Sequence, residues 1–168
     1  MKYRIERHEI IHLTGLAARV STDKDRSAAD IVAFWDVIRA DGTLNALCSA
    51  GAPGGHLECL GVYLDDYDMM THEYTYLVAV ETPADYRNVP EGCVDVRIDA
   101  GTWAVFECRG AIPASVQSVW NRIFREWFPA SGRKHRPGPQ LEAYPAGNFR
   151  SPDYYCEVWV PVEEPTDS

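Results

Sequence analysis

The chain has 168 residues, enough for one ordinary domain or two small fused modules. Its 46 % apolar and 24 % charged content is that of a globular protein, and no apolar run is long enough to span a bilayer. A net charge of −9, from 25 acidic and 16 basic residues, repels phosphate backbones and argues against direct DNA or RNA binding.

The N-terminal segment Met1-Lys2-Tyr3-Arg4-Ile5-Glu6-Arg7-His8 lacks the continuous apolar stretch of a signal peptide, so a cytoplasmic location is expected. A strand is predicted over residues 5–16, with Gly15 ending its regular part. Ser27 suits the N-cap of a helix that runs to about Ala40, with Ile31, Phe34, Trp35 and Ile38 as its apolar stripe. Asp41-Gly42 stops that helix. Residues 49–55 form a loop of small residues to which no role is assigned. Strands follow over residues 57–64 and 74–81, joined through Asp65-Asp66-Tyr67-Asp68, and residues 83–98 read as a linker.

The order then recurs. Residues 101–109 read as a strand, and Pro113 opens a helix in which Val116, Val119, Trp120, Ile123, Phe124 and Trp127 make a wide apolar stripe ended by Pro129. A loop over residues 131–139 carries the short basic run Arg133-Lys134-His135-Arg136 and leads to strands over 140–144 and 154–162. Trp35 and Trp120 fall at corresponding places in the two helices, and Leu60-Gly61-Val62-Tyr63 corresponds to Leu141-Glu142-Ala143-Tyr144. The expectation is an α+β fold: one domain, residues 1–168, of two pseudo-symmetric strand–helix–strand–strand modules, about 3–82 and 99–162, with antiparallel sheet.

Five cysteines (Cys48, Cys59, Cys93, Cys108, Cys156) lack metal-ligand spacing and read as small reduced hydrophobes. The five histidines are scattered, so neither a metal nor another cofactor is expected.

The final strand draws attention because one carboxylate, Glu157, lies among aromatic and β-branched residues with no adjacent Lys or Arg. Alternation puts Tyr155, Glu157 and Trp159 on one face and Cys156, Val158 and Val160 on the other. On the strand over 101–109, Trp103 and Glu107 repeat the mixture of ring and carboxylate, while Ala104, Phe106 and Cys108 form an apolar set. Each helix is expected to cover one sheet face. The opposite faces would then wall a ligand groove between the modules, with Tyr63 and Tyr144 closing it from both sides. A carboxylate flanked by rings suits a cation.

The C-terminal run Asp153-Tyr154-Tyr155-Cys156-Glu157-Val158-Trp159-Val160-Pro161-Val162, the preceding Gln140-Leu141-Glu142-Ala143-Tyr144, and the helix with Trp120 and Trp127-Phe128 resemble the GyrI-like small-molecule-binding domain, the effector-binding domain of AraC- and MerR-type regulators. The early Gly61-Val62-Tyr63 is similar to the family's first-half strand but less specific. The resemblance spans about residues 3–162. It implies a groove for lipophilic, often cationic compounds, with the final-strand glutamate, here Glu157, meeting the positive charge. It also implies two alternatives, since some stand-alone members resemble hydrolases of cyclopropane-bearing electrophiles and the name-giving member inhibits DNA gyrase. Unlike the regulators, the sequence shows no helix-turn-helix segment.

The expected function is therefore a stand-alone binding protein for lipophilic cations, in sensing or sequestration. Its ligand-binding residues would be Glu157, Tyr155, Trp159, Tyr144, Tyr63, Trp103 and Glu107. If the chain is a hydrolase, Glu157 or Glu107 is the candidate general base. A protein partner, gyrase or a regulator, is the third alternative.

Overall fold

The computed structural model describes residues 1–51 and 59–165. Eight strands, β1 (Tyr3–His8), β2 (Ile11–Ser21), β3 (Leu60–Tyr63), β4 (Glu73–Glu81), β5 (Cys93–Ile98), β6 (Gly101–Arg109), β7 (Gln140–Ala143) and β8 (Tyr155–Val162), form one antiparallel sheet in the order β1-β6-β8-β7-β3-β4-β2-β5. Helix α1 (Lys24–Ala40) packs on β2, and α3 (Ala114–Arg122) packs on β6 and β8. A second short helix, α2 (Thr43–Ala50), follows α1 directly.

The two halves exchange strands. β1 precedes β2 in the chain but pairs with β6, while β5 precedes β6 but pairs with β2. Only Glu9 and Ile10 separate β1 from β2, and only Asp99 and Ala100 separate β5 from β6. Two extended residues span little more than about 10 Å, so the two ends of the eight-strand order must approach one another. The sheet curls, and its concave face fills with Ile11, Leu13, Leu60, Val62, Leu77, Ile98, Trp103, Val105, Leu141 and Trp159. The other face carries the helices over two further apolar clusters, one under α1 around Val20, Ile38, Tyr76 and Val78, and one under α3 around Phe106, Val116, Ile123, Trp127 and Val158. Because the sheet covers its second face by curling, that face is core rather than a groove wall.

Several predicted boundaries shift. The strand expected over 5–16 is two strands that break at Glu9-Ile10 and lie in different parts of the sheet. Helix α1 begins at Lys24, because Asp23 rather than Ser27 caps it: the Asp23 carboxylate accepts from the Asp25 and Arg26 amides, each at 3.1 Å. Ser27 instead hydrogen-bonds Tyr74 Oη at 2.8 Å. The region expected as linker over 83–98 contains β5. Ser49 and Ala50, expected in a loop, end α2; residues 52–55 of that loop and 57–58 of the expected strand lie outside the described residues. Pro129 does not end its helix. The chain passes from α3 through a π-helical turn (Ile123–Trp127) into a last turn, α4 (Phe128–Ser131), so Pro129 lies within one continuous helical run.

Candidate functional site

The strands at the sheet centre set the site. β3 and β7 pair Leu60 with Ala143, Gly61 with Glu142, Val62 with Leu141 and Tyr63 with Gln140. If Leu60-Gly61-Val62-Tyr63 is matched to Leu141-Glu142-Ala143-Tyr144, this register maps onto itself, so the pseudo-two-fold axis passes through the Gly61–Glu142 pair. Helices α1 and α3 lie over the flanking strands and leave this centre uncovered. Between them is a groove of about 1220 Å³ whose lining includes Trp35, Tyr63, Tyr74, Trp120, Glu142 and Tyr144. It opens on the helix-bearing face, not on the sheet face away from the helices.

Alternation along both central strands sends Gly61, Tyr63, Glu142 and Tyr144 to this face. Glu142 is 3 % exposed and accepts three hydrogen bonds from neutral donors: Tyr63 Oη (2.8 Å) and Trp120 Nε1 (2.7 Å) on Oε1, and Tyr144 Oη (2.6 Å) on Oε2. No Lys, Arg or His pairs with it among the described residues. Burial pushes the Glu142 carboxyl above its ordinary value, opposed by those three hydrogen bonds. Burial raises Tyr63, Tyr144 and Tyr76 well above the usual phenol value, with the nearby Glu142 charge as the next cause, so all three hold their protons. The rings form a continuous wall: Tyr63 stands edge-on to Trp120 at 5.7 Å and to Tyr76 at 5.1 Å, and Trp35 edge-on to Tyr144 at 5.7 Å.

The axis explains why Gly61 faces Glu142. A Cβ on Gly61 would lie 2.4 Å from Tyr76 Oη and 3.0 Å from Glu142 Oε2. The missing side chain makes room for both groups. Trp35 Nε1 donates to Tyr76 Oη at 2.9 Å, as its counterpart Trp120 donates to Glu142. One half supplies a phenol where the other supplies a carboxyl group, leaving Glu142 as the acidic group at the floor.

Of the sequence-predicted residues, Tyr63 and Tyr144 meet in the groove. Tyr155, Glu157 and Trp159 do not; they lie on the other sheet face. There Glu157 accepts from Tyr155 Oη (2.6 Å) and Trp159 Nε1 (2.9 Å) and pairs with Arg4 Nη2 (2.9 Å). Burial and the Glu157 contact push the Tyr155 phenol up to about 12. Glu107 lies opposite Glu157 in the β6–β8 register and pairs with Lys2 at 3.2 Å. Trp103 is buried in the concave core, 6.0 Å from Trp159. The cations that answer these carboxylates, Arg4 in β1 and Lys2 just before it, lie more than a hundred residues away in sequence, so inspection of the final strand's neighbours could not reveal them. A smaller cavity of about 620 Å³ beside Glu157 is lined by Arg4, Glu6, Arg7, His8 and Trp159, with Glu6 hydrogen-bonded to both Arg4 and His8.

Glu142, Trp35, Trp120, Tyr74 and Tyr76 were not among the predicted site residues. For Glu142 a signal exists, a lone carboxylate between Leu141 and Ala143 in a short apolar strand, matched across the repeat by a glycine.

The family model for the GyrI-like small molecule binding domain matches residues 1–163. Among solved structures, SAV2435 bound to tetraphenylphosphonium is similar at 20 % identity and TM-score 0.83, covering 97 % of this chain and 94 % of that one. A Staphylococcus aureus MU50 protein is similar at 21 % identity and TM-score 0.79, covering 98 % and 99 %. The C-terminal domain of EcmrR is similar at 14 % identity and TM-score 0.63, covering 97 % and 98 %. At these identities the likeness is one of fold. No curated protein matches the sequence. No helix among the described residues is long and apolar enough to cross a membrane.

Proposed function

The chain belongs to the GyrI-like small-molecule-binding family, and from that premise we propose that it binds a lipophilic cation in the groove between α1 and α3, with ionised Glu142 as the counter-charge. One observation carries this reading: a buried carboxylate held by three neutral donors, with no cationic partner among the described residues, at the floor of an aromatic groove. An isolated carboxylate in apolar surroundings is costly, and a bound cation would relieve that cost. Each ring face would add roughly 0.5–2 kcal/mol through cation–π contact. Tetraphenylphosphonium, the ligand of the similar SAV2435 structure, is an apt probe because it cannot hydrogen-bond and reports charge and ring contact alone. The role is capture, in sensing or sequestration.

The test compares tetraphenylphosphonium binding to the parent, Glu142→Gln and Glu157→Gln by isothermal titration. Glu142→Gln should weaken binding at least about tenfold, the equivalent of 1.4 kcal/mol. Glu157→Gln should bind like the parent, since Arg4 already answers that carboxylate across the sheet. Equal binding by the parent and Glu142→Gln would overturn the assignment.

A further inference from the structure

The groove contains a cation of its own. Arg39 lies in the last turn of α1, four residues beyond Trp35, so the two side chains share a helix face. Its guanidinium carbon is 5.3 Å from the Trp35 ring centroid and 5.5 Å from that of Phe149, which belongs to the loop between β7 and β8. The group therefore rests between rings contributed by the two halves of the molecule. Its ion pair with Asp36 is long, 3.8 Å, and no hydrogen bond runs from its N–H groups to the described residues. Arg39, Trp35 and Phe149 line the same groove as Glu142. Trp35 meets Tyr144, and Tyr144 donates to Glu142, so two rings separate the guanidinium from the carboxylate. The groove thus has a carboxyl group at its floor and, beyond those rings, a guanidinium whose N–H groups make no hydrogen bond to the described residues.

We infer that Arg39 determines specificity: the groove takes a rigid aromatic zwitterion, its cation at Glu142 and a carboxylate or similar anionic group at Arg39, and disfavours ligands with two positive charges. This rests on the reading of Glu142 as a cation site and narrows it. A guanidinium stacked between rings keeps its planar N–H edge available, which suits a carboxylate bidentately in a way an ammonium does not. The groove volume of about 1220 Å³ lies above the usual range of small-molecule sites, roughly 300–1,000 Å³, so a polycyclic ligand can span both charges. Arg150, beside Phe149, lines the groove as well and forms no ion pair with the described residues, which adds to the positive side.

The test uses two dyes that share one xanthene: a rhodamine methyl ester, a monocation, and its free acid, a zwitterion at neutral pH. Fluorescence anisotropy titrations of both dyes and calorimetry with tetraphenylphosphonium are run on the parent, Arg39→Gln and Arg39→Lys. The Arg39 side chain is 42 % exposed, so the variants should fold, and thermal melts check this. The parent should prefer the acid by about tenfold, or 1.4 kcal/mol. Arg39→Gln should abolish the preference, and Arg39→Lys should retain part of it. An acid-to-ester ratio unchanged by Arg39→Gln, or a parent that prefers the ester, would overturn the inference while leaving the cation site standing. A parent that binds neither dye nor tetraphenylphosphonium would overturn both.

Discussion

At Glu142 the chain keeps a carboxyl group where burial disfavours its charge, and this has a measurable consequence without any ligand. Its folded-state pKa is raised above the ordinary carboxyl value of 4.5. A group shifted in that direction favours folding in its protonated form. Its contribution is fully present below the unfolded value and is lost as pH rises through the folded value. Gln has no such dependence, and its amide oxygen can accept from Tyr63 and Trp120 while its amine faces the rotatable Tyr144 hydroxyl. Glu142→Gln should therefore gain stability relative to the parent as pH rises from about 4 toward 8, read as a widening gap in urea midpoints. A constant gap across that range would mean that burial does not disfavour the Glu142 charge. Gly61 gives a second prediction. In Gly61→Ala the new methyl would press on Tyr76 Oη and Glu142 Oε2 at 2.4 and 3.0 Å. Overpacking of this kind costs roughly 1–3 kcal/mol. It should lower the urea midpoint and weaken tetraphenylphosphonium binding together. Loss of stability with binding intact would detach Gly61 from the site. The two residues also show what the sequence makes legible. A lone carboxylate in an apolar strand is visible at both Glu142 and Glu157, and local spacing cannot choose between them. What distinguishes them is β1, whose Arg4 pairs with Glu157, whereas no Lys, Arg or His among the described residues pairs with Glu142.

At the level of elements, α1 and α3 were legible because their apolar stripes have the helical period, and Trp35 and Trp120 stand at matching places, whereas the short α2 was not predicted. The starts and breaks were harder. Ser27 and Asp23 are both good N-caps; Asp23 takes the role, and the Ser27 hydroxyl, one turn into the helix, meets Tyr74 of β4 instead. The break at Glu9-Ile10 was invisible because both sides have strand-like composition; only the pairing of β1 with β6 shows that they are separate. The strand β5 has charged Asp95 and Arg97 within it, as suits an edge, and so read as linker. Capping at Asp23 matters to the site because the first turns of α1, including Lys24, Asp25, Ser27 and Ala28, line the groove. Asp23→Ala removes acceptors for two amides, which should cost about 1 kcal/mol. Urea denaturation should show that loss, and hydrogen exchange should show faster exchange confined to the start of α1. Uniform exchange along the helix would indicate that the cap does not hold this end.

At the level of the molecule, the strand exchange decides whether the repeat is two domains or one. Residues 1–82 contain β1 to β4, yet β1 finds its partner only in β6, and the free side of β2 is covered only by β5. The central pairing of β3 with β7 also crosses between the halves. An isolated first half would keep the three-strand core β3-β4-β2 with α1, but lose the concave cluster's Ile98, Trp103, Leu141 and Trp159. A second half, residues 83–168, would keep β6-β8-β7 with α3 and lose Ile11, Leu13, Leu60 and Leu77 from the same cluster. Each would bare one apolar sheet face, which is poorly tolerated in so small a unit. The expected result is that neither fragment alone shows a near-ultraviolet circular dichroism signal or a cooperative melt. An equimolar mixture should regain both, together with tetraphenylphosphonium binding, because the groove floor is made by one strand from each half. A fragment that folds cooperatively alone would show that the exchange only decorates two independent modules. Recovery only on mixing would make the proposed cation site a product of assembly, since Tyr63 from one half and Glu142 from the other meet only when β3 and β7 pair.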